Sequence, residues 1–356
     1  MATTASDTTP AAERVSRPRR FVQAVDERLG IDALRYPVPE HANNLGWSLG
    51  GLTAVSLLVL IVTGIYLVQF YNPMPEAANQ SVRETVTDVW LGEFARALHF
   101  WAAQAMYVLV VLHLLRVIFH ASYRRPREGN YLIGVAMFAL VIAALFTGTV
   151  LKWDQEGFEA LGHNIEVGEL LGGLGFWFTP DVAENLPILV RLYSAHVVLI
   201  PGLIVGLLTL HALLIKRHGI SEHPAIPASA PERREPFTHH LRRVAAFGLV
   251  LVGMLGVLAV LFPPSIGPTP VEGIEVTKPP WQFWWMFTLE NWFGLRAIVW
   301  SGAVLFALLV LLPLVDRGRS RAWRQRPIVI AITALAVLTM VILSVLAVLT
   351  TAQEHL

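Results

Sequence analysis

The 356-residue chain is 54% hydrophobic and only 15% charged, well below the roughly 25% charge of a soluble domain, which excludes a water-soluble enzyme. With no cysteine it forms no disulfide, no Cys-ligated zinc or iron-sulfur centre and no thioether-linked haem, so any metal must be held by His or carboxylate. The net charge of +1 says nothing of partners by itself, and no nucleic-acid partner is expected.

The first 40 residues are polar and rich in Ala, Thr and Arg, with no apolar h-region, so no cleaved signal peptide is expected. A mean hydropathy of +0.55 then comes from long apolar runs, several near the roughly 20 residues that cross a bilayer core. Seven spans are predicted, at 44–71, 95–120, 130–152, 186–217, 241–262, 296–315 and 326–351. The fold class is therefore an all-α polytopic membrane protein. Of the 27 Lys and Arg, 21 fall before the first span or around the second, fourth and sixth connections. The positive-inside rule then puts the N-terminus in the cytoplasm and the C-terminus outside. Two long connections lie on the outer side. One, 153–185, is acidic (Asp154, Glu156, Glu159, Glu166, Glu169, Asp181, Glu184), and the other, 263–295, is rich in Pro and Trp. The stretch 218–240 reads as a cytoplasmic linker, dividing the chain into a polar segment 1–40, a four-helix domain 41–217 and a three-helix domain 241–356.

Four of the 12 histidines lie in strongly apolar helix: His99 and His113 on the second span, His196 and His211 on the fourth. Ionisable residues at that depth suggest function. At about 100° per residue, a step of 14 returns to within roughly 40° of the same face and a step of 15 to within roughly 60°. Each helix thus shows two imidazoles on one side, about 21–22 Å apart along its axis, too far for one metal ion. The two spans run parallel, which sets His99 level with His196 and His113 level with His211. Such facing imidazoles suit two six-coordinate haems in the first four helices, a haem-binding four-helix bundle. Gly50 and Gly64 on the first span and Gly134 and Gly148 on the third repeat the step of 14, where missing side chains let a flat macrocycle edge or another helix come close. Arg96, Arg116 and Arg191 lie near the histidines and could take anionic propionates. His120, His218 and His223, at or beyond the cytoplasmic helix ends, are expected to be solvated or interfacial rather than ligands. A transporter would need broken helices and substrate-sized polar clusters that this pattern lacks.

A set of motifs carries a family resemblance: Leu49-Gly50-Gly51, Thr63-Gly64, Arg96-Ala97-Leu98-His99, Arg125-Pro126-Arg127-Glu128, Trp153-Asp154-Gln155, Arg191-Leu192-Tyr193-Ser194-Ala195-His196 and His218-Gly219-Ile220-Ser221. With them the chain resembles cytochrome b of the Rieske/cytochrome b quinol oxidoreductases. The N-terminal part is most similar to the short chloroplast-type cytochrome b, and the last three helices to its small partner subunit, here fused. The resemblance implies that His99 with His196 ligates the outer haem, beside Gly64 and Gly148, and His113 with His211 the inner haem, beside Gly50 and Gly134. It implies two non-covalent b-type haems, quinol oxidation on the outer side with proton translocation, and electrons passing to a Rieske iron-sulfur protein and, through both haems, to a quinone. It further implies a cytochrome c-type acceptor, the membrane quinone pool, a homodimer within a larger complex, and a bacterial cytoplasmic membrane.

Three departures stand out. Ser48 replaces the cysteine that holds an extra haem in the chloroplast-type branch, and Lys152 replaces a usual Pro. The tetrad Pro-Glu-Trp-Tyr of the outer quinol pocket reads Pro279-Pro280-Trp281-Gln282, without carboxylate or phenol. Catalytic candidates in that pocket are therefore Glu290, Asp154 and Trp281. A carboxylate against aromatic surface has its pKa raised and suits proton acceptance. Against this stands an interfacial helix anchored by Trp281, Trp284, Trp285 and Trp292 with Glu290 facing water. The alternative function is a dihaem anchor that links a non-Rieske redox partner to the quinone pool.

Overall fold

The computed structural model describes residues 17–226, 233–318 and 320–351. Residues 1–16 of the polar N-terminal segment, 227–232 of the expected linker and 352–356 lie outside the described residues. Among the described residues eleven helices carry the fold: α1 Arg17–Leu29, α2 Leu45–Leu67, α3 Pro75–Thr87, α4 Gly92–Phe119, α5 Glu128–Leu151, α6 Gln155–Leu170, α7 Ile188–His218, α8 Phe237–Leu261, α9 Trp284–Phe293, α10 Arg296–Val315 and α11 Pro327–Leu349. Among the described residues seven of them (α2, α4, α5, α7, α8, α10 and α11) are long and apolar enough to cross a membrane. A helix satisfies its backbone internally, which lipid demands. The expected spans hold to within a few residues, the first ending at Leu67 rather than 71.

Local chemistry sets the ends. The Asn44 side chain accepts from Trp47 N at 3.1 Å and caps α2, and Pro75 and Pro327 open α3 and α11, where no N–H is missed. Gly219 and Gly294, at φ of 70° and 74°, stop α7 and separate α9 from α10.

α2 packs on α4 and α5 on α7, giving two helix pairs. They meet at mid-depth through Leu57, Met106, Val141, Ile200 and Ile204, an apolar layer drawn from all four helices. The last three helices do not hang apart. α8 lies along α2 and α4, so close that a Cβ on Gly51 would come within 2.8 Å of Val244. The end of the 218–240 stretch is ordered structure: β2 (Arg234–Pro236) pairs antiparallel with β1 (Pro37–Pro39), Pro37 opposite Pro236. Tyr36 stacks on Phe237 with ring centres 4.8 Å apart, so the chain before α2 is clamped to the start of α8.

At the face bearing α1 and the β pair, here the linker face, Asp316 after α10 accepts from Tyr123, Arg124 and Arg326, the last at 2.8 Å. Arg326 also donates to Ile118 O and Phe119 O, carbonyls at the end of α4, at 3.0 and 3.2 Å. This buried network bolts α10 and α11 onto α4 and α5.

Candidate functional site

The four intramembrane histidines point into the space between the two helix pairs. His99 and His196 face each other with ring centres 6.4 Å apart. Two imidazoles on opposite sides of one metal, with bonds of about 2.0–2.1 Å, have centres roughly 6.3 Å apart. His113 and His211 are electrostatic neighbours at the other level.

The step of 15 on α7 against 14 on α4 has a structural cause. Across Ala195–Leu199 the helix widens into a π turn, in which Ile200 N bonds to Ala195 O five residues back. Pro201 has no N–H to close the normal turn there. A π turn absorbs one extra residue, so His196 and His211 keep the register of His99 and His113.

Ring orientation is fixed by groups the sequence reading missed. Thr63 Oγ1 donates to Val59 O at 2.7 Å and therefore accepts from His99 Nδ1 at 2.9 Å. Thr147 repeats this, donating to Ala143 O at 2.8 Å and lying 2.9 Å from His196 Nδ1. His211 Nδ1 donates to Asn130 O at 3.1 Å. A proton held on Nδ1 leaves the Nε2 lone pair free for a metal. The signal was present in the sequence as a Thr-Gly pair at 63–64 and again at 147–148.

Each glycine lies against one histidine. A Cβ on Gly50 would stand 3.1 Å from His113 Cε1, on Gly64 3.5 Å from His99 Cε1, on Gly134 3.7 Å from His211 Cε1, and on Gly148 3.1 Å from His196 Cε1. Gly148→Ala and Gly50→Ala are therefore expected to push the His196 and His113 rings, whereas Gly64→Ala and Gly134→Ala meet ordinary contact with the rings. The reduced-haem absorption band of the purified variants checks this ranking, larger band shifts being expected for the first two.

The arginines are engaged with protein as well as available. Arg96 donates to Pro264 O (2.6 Å) and Ser265 O (3.1 Å), and Arg191 donates to Trp177 O (3.2 Å) and to Thr179 O. Both thus tie loops to the helices. Arg116 lies flat on Trp47, 3.4 Å from the ring centre. The Nε atoms of Arg116 and Arg191 and Nδ1 of His113 are buried without a hydrogen-bond partner.

The linker-face histidines gather around one indole. His120 and His223 are not simply solvated: each ring centre lies 5.6 Å from the other, and His223 lies 5.6 Å from His41, all around Trp47. Burial, with Arg116, His223 and His41 nearby, lowers the His120 pKa to about 4. Ser48 is fully buried and donates to Asn44 O at 3.0 Å.

At the opposite, long-loop face Asp154 and Glu159 of the acidic stretch are buried, whereas Glu169, Asp181 and Glu184 are exposed. Trp153, at φ 50°, turns the chain so that Asp154 caps α6. Asp154 accepts from Gly157 N (3.1 Å), Gly267 N (2.7 Å) and Lys152 Nζ (3.1 Å) and is 1% exposed. Oδ1 caps α6 and Oδ2 holds Gly267 of the 263–280 loop and Lys152, so these contacts give Asp154 a structural role. Glu159 accepts from Val276 N and Thr277 N, both at 2.9 Å, and Gln155 Oε1 from Val271 N at 2.7 Å. Trp281 Nε1 and Gln282 Nε2 both donate to Gln104 Oε1 of α4 at 2.7 Å, so Trp281 is an anchor of its loop. Pro279 O accepts from Trp284 Nε1 at 2.8 Å, and Pro280 precedes the turn into α9. Glu290 does not face water: it is 3% exposed, with Oε1 3.1 Å from His163 Nε2.

A family model described as cytochrome b/b6/petB matches residues 34–219. The chain belongs to the cytochrome b/b6 family. Similar proteins include the cytochrome b6 of Heliobacterium mobile, 36% identical over 199 residues, covering 55% of this chain and 93% of that one. The cytochrome bc complex cytochrome b subunit of Chlorobaculum thiosulfatiphilum is 30% identical over 309 residues, covering 82% and 71%. The menaquinol:cytochrome c reductase cytochrome b subunit of Bacillus subtilis is 32% identical over 213 residues, covering 55% and 95%. A solved chain of a hyperthermophilic respiratory Complex III has the same fold, with a TM-score of 0.79 at 19% identity over 92% of this chain and 91% of that one.

As a cytochrome b, this integral membrane protein uses haem b. The residues present fit the group: facing imidazoles at the right separation, glycines against each ring, and buried guanidinium N–H donors without partners.

Proposed function

We propose that the chain is the cytochrome b subunit of a quinol:cytochrome c, or similar acceptor, oxidoreductase that translocates protons across a bacterial cytoplasmic membrane. The observation that carries this reading is the matched pair of imidazole levels, His99 with His196 and His113 with His211, each with its glycine partners. His99 and His196 Nε2 would hold one haem b and His113 and His211 the other, with Gly50, Gly64, Gly134 and Gly148 making room at the edges. Arg116 and Arg191 would offer their free Nε donors to propionates, and Arg96 its charge. Each haem b, when bound, would supply a one-electron redox couple, and the two histidine levels on α4 are about 21 Å apart along the helix. Residues 41–217 form the haem-binding domain and 241–356 the part that completes the quinol site, joined by 218–240.

The long-loop face is assigned to the outside, with the N-terminus inside, from the placement of Lys and Arg. There the ordered 263–295 loop and α6 build the wall of a site for quinol and for docking a Rieske iron-sulfur protein, with a cytochrome c-type subunit or carrier as the next acceptor. The names of the relatives, menaquinol:cytochrome c reductase among them, support the substrate class. Homodimerisation within the larger complex belongs to the same reading.

The test is turnover by the complex purified with its own partners. Quinol-dependent reduction of cytochrome c, blocked by a quinol analogue that acts at the outer face, is expected. Haems that are reduced only from the inner face, with no such turnover, would replace this reading with a dihaem anchor.

A further inference from the structure

Neither Pro280 nor Gln282 can take a proton from a quinol, and Asp154 is occupied as a cap. Three ionisable side chains distant in sequence converge instead behind that loop. His163 of α6 places Nε2 3.3 Å from Glu275 Oε1 and 3.1 Å from Glu290 Oε1, while its Nδ1 donates to Glu159 O at 2.9 Å. The side chains of Glu275 and Glu290 are 5% and 4% exposed, and that of His163 20%. We infer that this His163–Glu275–Glu290 cluster is the proton acceptor of the long-loop-face site, with Glu290 taking the quinol proton, an assignment that rests on the quinol-oxidising reading above.

Charge arithmetic makes the cluster an acceptor. One imidazolium between two carboxylates leaves a net charge of −1 in a buried place, and binding one proton neutralises it. Burial alone would lower the His163 pKa, but the Glu275 and Glu290 carboxylates beside Nε2 outweigh it and raise it to about 10. The imidazole therefore stays charged through the neutral range and stands beside both carboxylates.

The surroundings supply the shape. A cavity of about 520 Å³ lies one turn beyond His163 on α6 and Glu290 on α9, lined by Glu166, Glu169, Leu170, Phe293 and Arg296. Phe293 and Arg296 also line an apolar groove of about 800 Å³ between α9, α10 and α11, walled by Trp285, Trp300, Leu335 and Met340. A polar head beside the cluster with an apolar tail in the groove is the shape of a prenylated quinol. The other charges near α6 are accounted for: Glu159 is bonded to the loop amides of Val276 and Thr277, and Lys152 pairs with Asp154 and Glu156. Glu166, Glu169 and Arg296 line the open cavity.

In the step itself a quinol O–H bond breaks and a Glu290 O–H bond forms. The electron leaves to the one-electron acceptor at that face, the iron-sulfur partner, and the proton is later released to water at the cavity edge. His163 and Glu275 are positioning residues that set the affinity of Glu290 for the proton.

The test is the pH profile of quinol:cytochrome c turnover by the whole complex, driven by short-chain naphthoquinol and benzoquinol and compared across wild type, Glu290→Gln, Glu290→Asp, Glu275→Gln and His163→Gln. A general base contributes typically 10²–10⁴-fold. Glu290→Gln is therefore expected to lower kcat at least about 10²-fold with haem content unchanged, and Glu290→Asp to recover part of it. His163→Gln removes the cation that favours ionised carboxylates, so the acid limb of the profile moves to higher pH. Should Glu290→Gln lose haem, the acid limbs of Glu275→Gln and His163→Gln decide. An active wild type whose Glu290→Gln variant keeps its rate, or whose His163→Gln and Glu275→Gln profiles do not shift, overturns the assignment alone. A wild type with no quinol turnover overturns the parent reading and this assignment together.

Discussion

Replacing His196 with alanine is expected to remove one b-type haem, leave the other, and abolish quinol-driven electron transfer across the membrane. In the proposed pairing His99 and His196 hold one haem from its two sides, their ring centres 6.4 Å apart, so either loss leaves the other imidazole alone. The mid-depth layer of Leu57, Met106, Val141, Ile200 and Ile204 separates the levels and shares no ligand with them. The His113–His211 level should therefore keep its spectrum. His113→Ala gives the reciprocal result. Reduced-minus-oxidised spectra with haem extracted per chain read both, and a His196→Ala protein that retains two haems would refute the pairing.

The second large effect lies in the protein frame. Asp316 is 9% exposed on its side chain and receives Arg124 and Arg326, themselves 9% and 2% exposed. Asp316→Ala leaves two guanidinium groups buried without their counter-charge, a loss of about 3–5 kcal/mol. Burial alone would raise the Asp316 pKa, but hydrogen bonds from Tyr123 and Arg124 and the nearby arginine charges outweigh it and hold it below the usual carboxylate value. A depressed pKa gives stability that is fully present above the unfolded value of about 3.9 and is lost as pH falls through the folded one. At pH 7 the variant therefore shows the full loss, and the gap to wild type narrows in acid. Thermal unfolding in detergent at both pH values checks this, and loosening of α10 and α11 from α4 and α5 should precede haem release.

Much of this was legible in the sequence because two strong periodicities act in lipid. Apolar runs of span length set the seven helices, and the step of 14 on α4 set both imidazoles on one face. The extra residue between His196 and His211 was legible as a discrepancy but not as a π turn, since the cause is a missing N–H at Pro201. Long-range polar partners were not legible at all. Asp154 and Glu159 read as part of a long acidic connection on the outer side, yet their partners are backbone amides of Gly267, Val276 and Thr277 more than a hundred residues away, and an amide has no sequence signature. The same distance hid His163 from Glu275 and Glu290, and only the fold brings the indole of Trp47 among His41, His120 and His223.

The central claim is that α4 and α7 hold two haems at two depths through paired histidines. The most direct measurement is haem b per chain in the purified protein, with a redox titration and a low-temperature electron paramagnetic resonance spectrum of the oxidised form. Two haems per chain, titrating as two components and both low-spin with two imidazole ligands, is the predicted result. One haem, or a stoichiometric high-spin, singly ligated component, would contradict it.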